Sequence, residues 1–254
     1  MAEFIPPTLG SETIFMIGSF EVRNTLITSV LTLIVLISIG LVVRRRKYAM
    51  VPGGSQNFVE FLIETLFNFF NTVVRDEKKT ARFFPIVATI FLFVLVSNWM
   101  GLLPGFGSVG MWAEHEGHHV LIPYLRSTFS DVNMTFALSL VAVTSIQIMG
   151  FSMLGFKGYG GKFFINPFKN FVGSFVGILE LFGEVSKMIS FSFRLYGNVF
   201  AGEVLLLVIS FLVPLIAPLP FYGLEIFVGF IQALVFSFLT LVFLTVATTS
   251  HEQH

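Results

Sequence analysis

The chain has 254 residues, of which 55% are hydrophobic and only 12% are charged. A soluble protein of this length needs far more charged side chains to cover its surface, so the composition excludes a soluble domain and indicates an integral membrane protein. The formal net charge of zero argues neither for nor against a nucleic-acid partner, whereas the absence of cysteine excludes disulfide, thiol and iron–sulfur chemistry.

The first part of the chain predicts one membrane crossing and one surface helix. An N-terminal outer segment, residues 1–24, does not have the basic and then apolar pattern of a cleavable signal peptide. The apolar run Thr25 to Val43 has the length of a spanning helix, and the basic cluster Arg44 to Lys47 that follows it indicates a cytoplasmic end. Polar residues then recur at helical spacing from Asn57 to Asn71, which predicts an amphipathic helix. We expect it at the membrane interface or in a shallow cytoplasmic hairpin; the alternative is that it packs into a helix bundle with its polar side toward other protein.

Two further crossings follow in the middle of the chain. The charged run Arg75 to Arg82 keeps this part cytoplasmic, and Phe83 to Leu103 is the next apolar span. Residues 105–128 then form an outer loop, after which Asp131 to Leu154 crosses back. The lysines of residues 155–170 again indicate the cytoplasmic side.

The last third of the chain predicts two long helices. Phe171 to Val213 contains no proline, so a continuous helix would be about 65 Å long and would have to tilt steeply, extend beyond the bilayer or break. A proline-containing turn precedes the last apolar helix, Phe221 to Thr249. The predicted fold is therefore an all-α membrane protein with five crossings, in which peripheral helices (residues 25–170) precede a long, tilted hairpin (residues 171–254). The N-terminus is expected outside and the C-terminus in the cytoplasm.

A charged residue lies in the middle of the first long helix. Arg194 occupies an otherwise apolar stretch, where a charge in hydrocarbon costs from a few to about 15 kcal/mol, so it is expected to serve an ion path, a partner or water. On a helical wheel, a polar stripe lies within about 40° of Arg194, and Glu203 lies on the opposite face. The stripe contains Glu180, Lys187, Ser190 and Asn198. The alternative is a structural ion pair between Arg194 and Glu180 or Glu184.

The last helix carries polar residues on one side. Glu225 and Gln232 are seven residues apart, hence about 20° apart on the wheel. Because both long helices present polar groups, we expect the hairpin to hold a path for an ion.

Two short motifs resemble functional sites but lack features that those sites require. His115 to His119 fits H-E-x-x-H, but zinc binding needs a helix, and Gly117 lies within the motif, so we expect a solvated loop without a metal site. Gly155 to Lys162 is rich in glycine but lacks the spacing of a phosphate-binding loop, and Phe163 stands where Ser or Thr is needed. We therefore expect neither a nucleotide site nor a cofactor.

Four segments resemble subunit a of the F-type ATP synthase. They are FRLYGNVFAGE around Arg194, NWMGLLPG at Asn98 to Gly105, SDVNMTFAL from Ser130 and IQALVFSFLTLVFL from Ile231. The resemblance covers nearly the whole chain after the N-terminal segment. It implies a stator subunit in the lipid bilayer of a bacterial inner (plasma) membrane. The implied partners are a ring of c subunits and the peripheral-stalk b subunits, with no nucleic acid and with nucleotides bound elsewhere in the complex.

The resemblance also implies roles for the polar residues of the hairpin. Arg194 would be the essential arginine between two offset proton half-channels. Asn198, Glu203, Glu225 and Gln232 would belong to the outer half-channel, whereas Glu180, Lys187 and Ser190 would lie near the inner one. Glu225 departs from family members that have His at this position. A secondary transporter with Arg194 as a carboxylate clamp is the alternative, against which stands the lack of a detectable internal repeat. A purely structural scaffold would not account for the polar residues on both helices.

Overall fold

The computed structural model describes residues 10–45, 53–107, 109–115, 118–163, 171–213 and 216–249. Within these ranges the chain forms six α-helices and two antiparallel β-hairpins. The helices are α1 (Asn24–Arg45), α2 (Gly54–Val74), α3 (Glu77–Gly101), α4 (Val132–Phe163), α5 (Phe171–Leu212) and α6 (Pro218–Ala247). The strands are β1 (Thr13–Ile17), β2 (Phe20–Arg23), β3 (Gly110–His115) and β4 (His118–Pro123).

The predicted all-α membrane fold is confirmed. In the described part of the chain, five helices are long and apolar enough to cross a membrane: α1, α3, the first 24 residues of α4, α5 and α6. The amphipathic helix forms as α2, and the last two helices fit a hairpin. Helix α3 begins earlier than predicted because Asp76 caps its first turn, accepting hydrogen bonds from the backbone N–H groups of Lys78 and Lys79.

The two β-hairpins are not predicted by the sequence pattern. Strands β1 and β2 are joined by a two-residue turn in which Gly18 has a φ of 64°. Strands β3 and β4 lie in the predicted outer loop, where His115 and His118 are cross-strand partners. The H-E-x-x-H stretch thus begins and ends in strands, while Glu116 and Gly117 lie outside the described residues. Because the motif requires a helix, the structure gives it no support as a zinc site.

Glycine decides where one of the long helices breaks. Helix α4 is interrupted at Gly155, whose φ of 73° and ψ of 167° are accessible almost only to glycine. Helix α5, by contrast, runs for 42 residues without an interruption, a length of about 63 Å. Its glycines therefore do not break it, although the sequence leaves this open.

The residues divide into two compact units, which we describe separately. Unit 1 comprises Met1–Val42, Leu92–Ala137 and Ser192–Ala233. Unit 2 comprises Val43–Phe91, Leu138–Phe191 and Leu234–His254.

Unit 2 has an apolar core to which four helices contribute. Phe70 of α2 packs with Phe83 and Val87 of α3, and all three are almost fully buried. Ile146 of α4 and Leu241 of α6 belong to the same cluster. Where these helices cross the membrane, such side chains stabilise the unit mainly through van der Waals packing, because lipid tails are as apolar as they are.

Unit 1 is instead built around small polar side chains at the start of α1. Thr25, Thr28 and Thr32 are fully buried on one face of this helix. The Thr32 hydroxyl contacts the sulfur of Met100 in α3, and the Thr28 hydroxyl accepts a hydrogen bond from the backbone N–H of Arg126. These contacts position the residues around the cavity described next.

Candidate functional site

Unit 1 contains a cavity of about 360 Å³ between α3, α5, α6 and the segment before α4. Its walls are mixed, with leucines and phenylalanine on one part and polar or titratable side chains on another. The polar and titratable lining residues are Asn98, Arg126, Ser127, Asn198, Glu203, Ser210, Tyr222 and Glu225. Three residues predicted for the outer half-channel, Asn198, Glu203 and Glu225, therefore share one cavity.

Glu203 is held by a residue that the sequence did not single out. The guanidinium Nη2 of Arg126 lies 2.9 Å from Oε2 of Glu203, and the Arg126 side chain is only 10% exposed. Nη1 of Arg126 donates to the carbonyl oxygen of Gly10 at 2.6 Å, and its backbone N–H donates to Thr28. The arginine is thus fixed by the N-terminal segment and α1 as well as by Glu203.

Glu225 lies against the backbone of the opposite helix. Its carboxyl group packs on Gly202 of α5, the residue before Glu203, where a Cβ atom would collide with it. Glycine at position 202 therefore allows the two acidic residues to enter the same space.

Helix α3 is joined to α6 beside Glu225. The side-chain amide of Asn98 donates to the carbonyl oxygen of Gly229 at 3.1 Å, and the indole N–H of Trp99 donates to that of Ile226 at 3.0 Å. Asn98 lines the cavity, and its Oδ1 atom is buried and has no hydrogen-bond partner among the described residues. Such an atom is suited to accept a hydrogen bond from a cavity water.

The N-terminal hairpin is anchored through Asp131 at the start of α4. This carboxylate accepts hydrogen bonds from the hydroxyl groups of Ser11 and Thr25 and from the guanidinium of Arg23. It also caps α4 by accepting from the backbone N–H of Asn133. Burial raises the pKa of Asp131, but the hydrogen bonds from Asn133 and Ser11 and the charge of Arg23 outweigh burial and hold this pKa below its usual value.

Unit 2 contains a second polar network, which includes Lys187. The ammonium of Lys187 lies 2.6 Å from Oε1 of Glu184 and 4.5 Å from the ring centre of Phe243. The other oxygen of Glu184 accepts a hydrogen bond from Gln147, whose carbonyl oxygen accepts one from the Tyr159 hydroxyl. Helices α4 and α5 are thus linked by a continuous chain of polar contacts.

Tyr159 remains a hydrogen-bond donor at any physiological pH. Burial, followed by the negative charges of Glu184 and Glu180, raises the pKa of Tyr159 to about 12, although its bond to Gln147 acts in the opposite direction. This interaction also shows that Glu180 lies close to the network.

The remaining predicted residues lie outside the cavity. Arg194 is exposed in the middle of α5, and Gln232 is half-buried on α6; neither lines the cavity. Gly197 and Ala201 are exposed on the same face of α5 as Arg194. Ser190 is exposed on the part of α5 that belongs to unit 2.

The sequence does contain a signal for Arg126. It is the only Lys or Arg between Arg82 and Lys157, in a segment that the charge rule places outside. A lone cation in such a segment is a candidate partner for a buried acid. Tyr159 carries no comparable signal, because its contact with Gln147 depends on the break at Gly155.

Comparison with known proteins agrees with the resemblance. ATP synthase subunit a from Gloeobacter violaceus is 34% identical over 247 residues, which cover 97% of this chain and 92% of that protein. ATP synthase subunit a from Campylobacter jejuni subsp. jejuni serotype O:23/36 is 32% identical over 209 residues, covering 82% and 83%. Residues 25–245 match the family described as ATP synthase A chain. The chain therefore belongs to the ATP synthase A chain family.

Proposed function

We propose that this chain is the stator subunit of a proton-translocating F-type ATP synthase in a bacterial inner membrane. In this role a ring of c subunits turns against α5, and the peripheral-stalk b subunits hold the chain in place. Two offset half-channels carry protons to and from carboxylates on the ring, which couples proton flow to rotation. The observation that carries the proposal is the unit 1 cavity, where Asn198, Glu203 and Glu225 converge inside a chain of five membrane-crossing helices.

The size and chemistry of the cavity support an outer proton entrance. With about 30 Å³ for each water molecule, its volume has room for several waters. Carboxylates exchange protons with such waters, and polar groups at membrane depth are costly unless they serve a path or a partner. Gln232 lies on α6 outside the cavity, and we assign it to the same outer half-channel.

The polar network of unit 2 supports an inner path near Glu180, Lys187 and Ser190. Lys187 is bound to Glu184, and the carboxylate of Glu184 is linked through Gln147 to Tyr159. Titratable groups connected in this way can bind and release a proton, whereas apolar side chains cannot.

Arg194 is proposed to separate the two paths. An arginine keeps its proton under essentially all conditions, so it attracts a ring carboxylate and favours its ionised form without carrying protons itself. Because Arg194 is exposed in the middle of a spanning helix, part of its surface meets something outside this chain. A carboxylate of the ring is a favourable partner for an exposed cation, whereas lipid is not.

The test is to replace Arg194 in the assembled complex. We expect Arg194→Ala to assemble normally, to abolish ATP synthesis and ATP-driven pumping, and to leave a passive proton leak, because ring carboxylates can then pass the stator in either direction. Arg194→Lys should also fail to couple proton flow to ATP synthesis. Lysine lacks the planar guanidinium group and, unlike arginine, can lose its proton when it is buried. Arg44→Ala, which removes an exposed arginine at the end of α1, is the matched control and should retain synthesis.

The measurements are the amount of subunit in the membrane, ATP synthesis, and proton flux through membranes stripped of the catalytic head. Normal assembly together with near-normal synthesis in Arg194→Ala would overturn the proposed function. Loss of the subunit from the membrane would instead point to the alternative of a structural ion pair.

A further inference from the structure

We propose that the two acidic residues of the unit 1 cavity have different tasks: Arg126 holds Glu203 as a permanent carboxylate, and Glu225 is the group that binds and releases the proton. The inference rests on the proposed function and assigns the exchanging group within it. Arg126 and Glu203 are positioning residues in this scheme.

The first argument is the permanence of the positive charge. An arginine cannot lose its proton in a protein. Among the contacts described for Arg126 are those with Glu203, with the carbonyl of Gly10 and with the hydroxyl of Thr28. A fixed cation 2.9 Å from a carboxylate oxygen favours the ionised form of that carboxylate. Glu203 therefore balances Arg126 and does not compete for the proton.

The second argument is the charge balance of the cavity. Arg126 is the only cation among the lining residues, and Glu203 already neutralises it. A second carboxylate in the same confined space would leave an unbalanced negative charge, which is costly away from bulk water. Glu225 is therefore neutral at rest and ionises only while a proton passes.

The third argument concerns the other groups that face Glu225. From α3 and the segment after it, the lining residues carry no charge: Asn98, Gly101, Leu102, Phe106 and Gly107. From α6, the other titratable group is the phenol of Tyr222. From α5, Gly202 offers only backbone to the Glu225 carboxyl.

Four variants of the assembled synthase test the assignment by passive proton flux through membranes stripped of the catalytic head. Glu225→Gln should lower flux by on the order of 10²-fold, the low end of what a positioned proton-transfer group contributes. Glu203→Gln should lower it by about tenfold, because Arg126 then acts on Glu225 instead and stabilises its anion. Arg126→Gln should also lower proton flux, for the opposite reason. The charge of Glu203 is then unbalanced and disfavours the anion of Glu225.

The decisive variant combines Arg126→Gln with Glu203→Gln. Removing both charges restores a neutral surrounding for Glu225, so flux should recover to within about threefold of the unmodified protein, a coupling typical of residues in contact. A double variant as slow as Glu203→Gln alone would show that Glu203 itself carries the proton. Near-normal flux in Glu225→Gln would equally overturn the proposal.

Two further readouts separate electrostatics from a structural role. Arg126→Lys keeps the positive charge, so its proton flux should exceed that of Arg126→Gln. Equal flux in the two variants, at equal assembly, would contradict an electrostatic role for Arg126. The pH profile of flux in Arg126→Gln should show one additional titration, that of Glu203, which disappears in the double variant. Failure of the proposed function would appear instead as retained ATP synthesis in Arg194→Ala, an outcome independent of these ratios.

Discussion

Gly202 is the residue that brings α5 close to the carboxyl group of Glu225. We predict that Gly202→Ala displaces this carboxyl group, because the added Cβ takes its place and the side chain of Glu225 is more easily moved than the helix backbone. The helix itself gains about 1 kcal/mol from the change of glycine to alanine. Proton flux should therefore fall about tenfold or more while thermal stability in detergent is retained.

Gly223→Ala is the matched control for this prediction. Gly223 lies on α6 near Glu225, and nothing lies within 4 Å of the Cβ atom that alanine would add. The control should show unchanged flux and a similar gain in helix stability. Equal flux in the two variants would mean that the position of the Glu225 carboxyl does not limit proton passage.

At the same scale, the sequence predicts which faces carry polar groups but not which groups meet across the fold. The helical wheel places Glu203 opposite Arg194, and the structure shows Glu203 in the cavity and Arg194 exposed. The ion pair between Arg126 and Glu203, however, joins residues 77 positions apart. No periodicity within one helix contains that information.

Among the elements, the long helices are predictable because each buries or exposes an apolar run long enough to cross a bilayer. The β-hairpins are not, since strands of four to six residues have little stability of their own. They are held by contacts distant in sequence, such as the hydrogen bond from the Asn24 amide to the carbonyl of Pro123. Such contacts are known only once the chain has folded.

The break in α4 gives a prediction for an element. Beyond Gly155 the chain turns back, so that the ring of Tyr159 lies over Gly150 and its hydroxyl reaches Gln147. Gly155→Ala should destabilise the protein by about 1–3 kcal/mol, because alanine is strained at a φ of 73°. Gly161→Ala, in the same helix with open space at its Cβ position, should not lower thermal stability in detergent.

A double-mutant cycle shows whether the break serves to place Tyr159. In the unmodified protein, Tyr159→Phe should cost about 1 kcal/mol through loss of the bond to Gln147. In the Gly155→Ala background the same change should cost less, because the bond is already weakened. Strictly additive effects would indicate that Tyr159 is positioned without the break.

On the scale of the whole molecule, basic residues are divided unevenly along the chain. The stretches of sequence assigned to unit 2 contain twelve of the fifteen Lys and Arg residues. The other three are Arg23, Arg126 and Arg194, of which Arg23 and Arg126 bind carboxylates. Loops rich in Lys and Arg stay on the cytoplasmic side of bacterial membranes.

This asymmetry predicts the orientation of the chain. The segment between α1 and α2 should face the cytoplasm, and the turn between β1 and β2 should face the outside. Because the chain has no cysteine, a single cysteine introduced at Ser19 or at Gly53, both exposed, is the only target for a thiol reagent. An impermeant reagent should label Ser19→Cys in intact cells and Gly53→Cys only in inverted vesicles. The opposite pattern would reverse the assignment, and it would place the cavity of Glu203 and Glu225 on a path to the cytoplasm instead of the outer side.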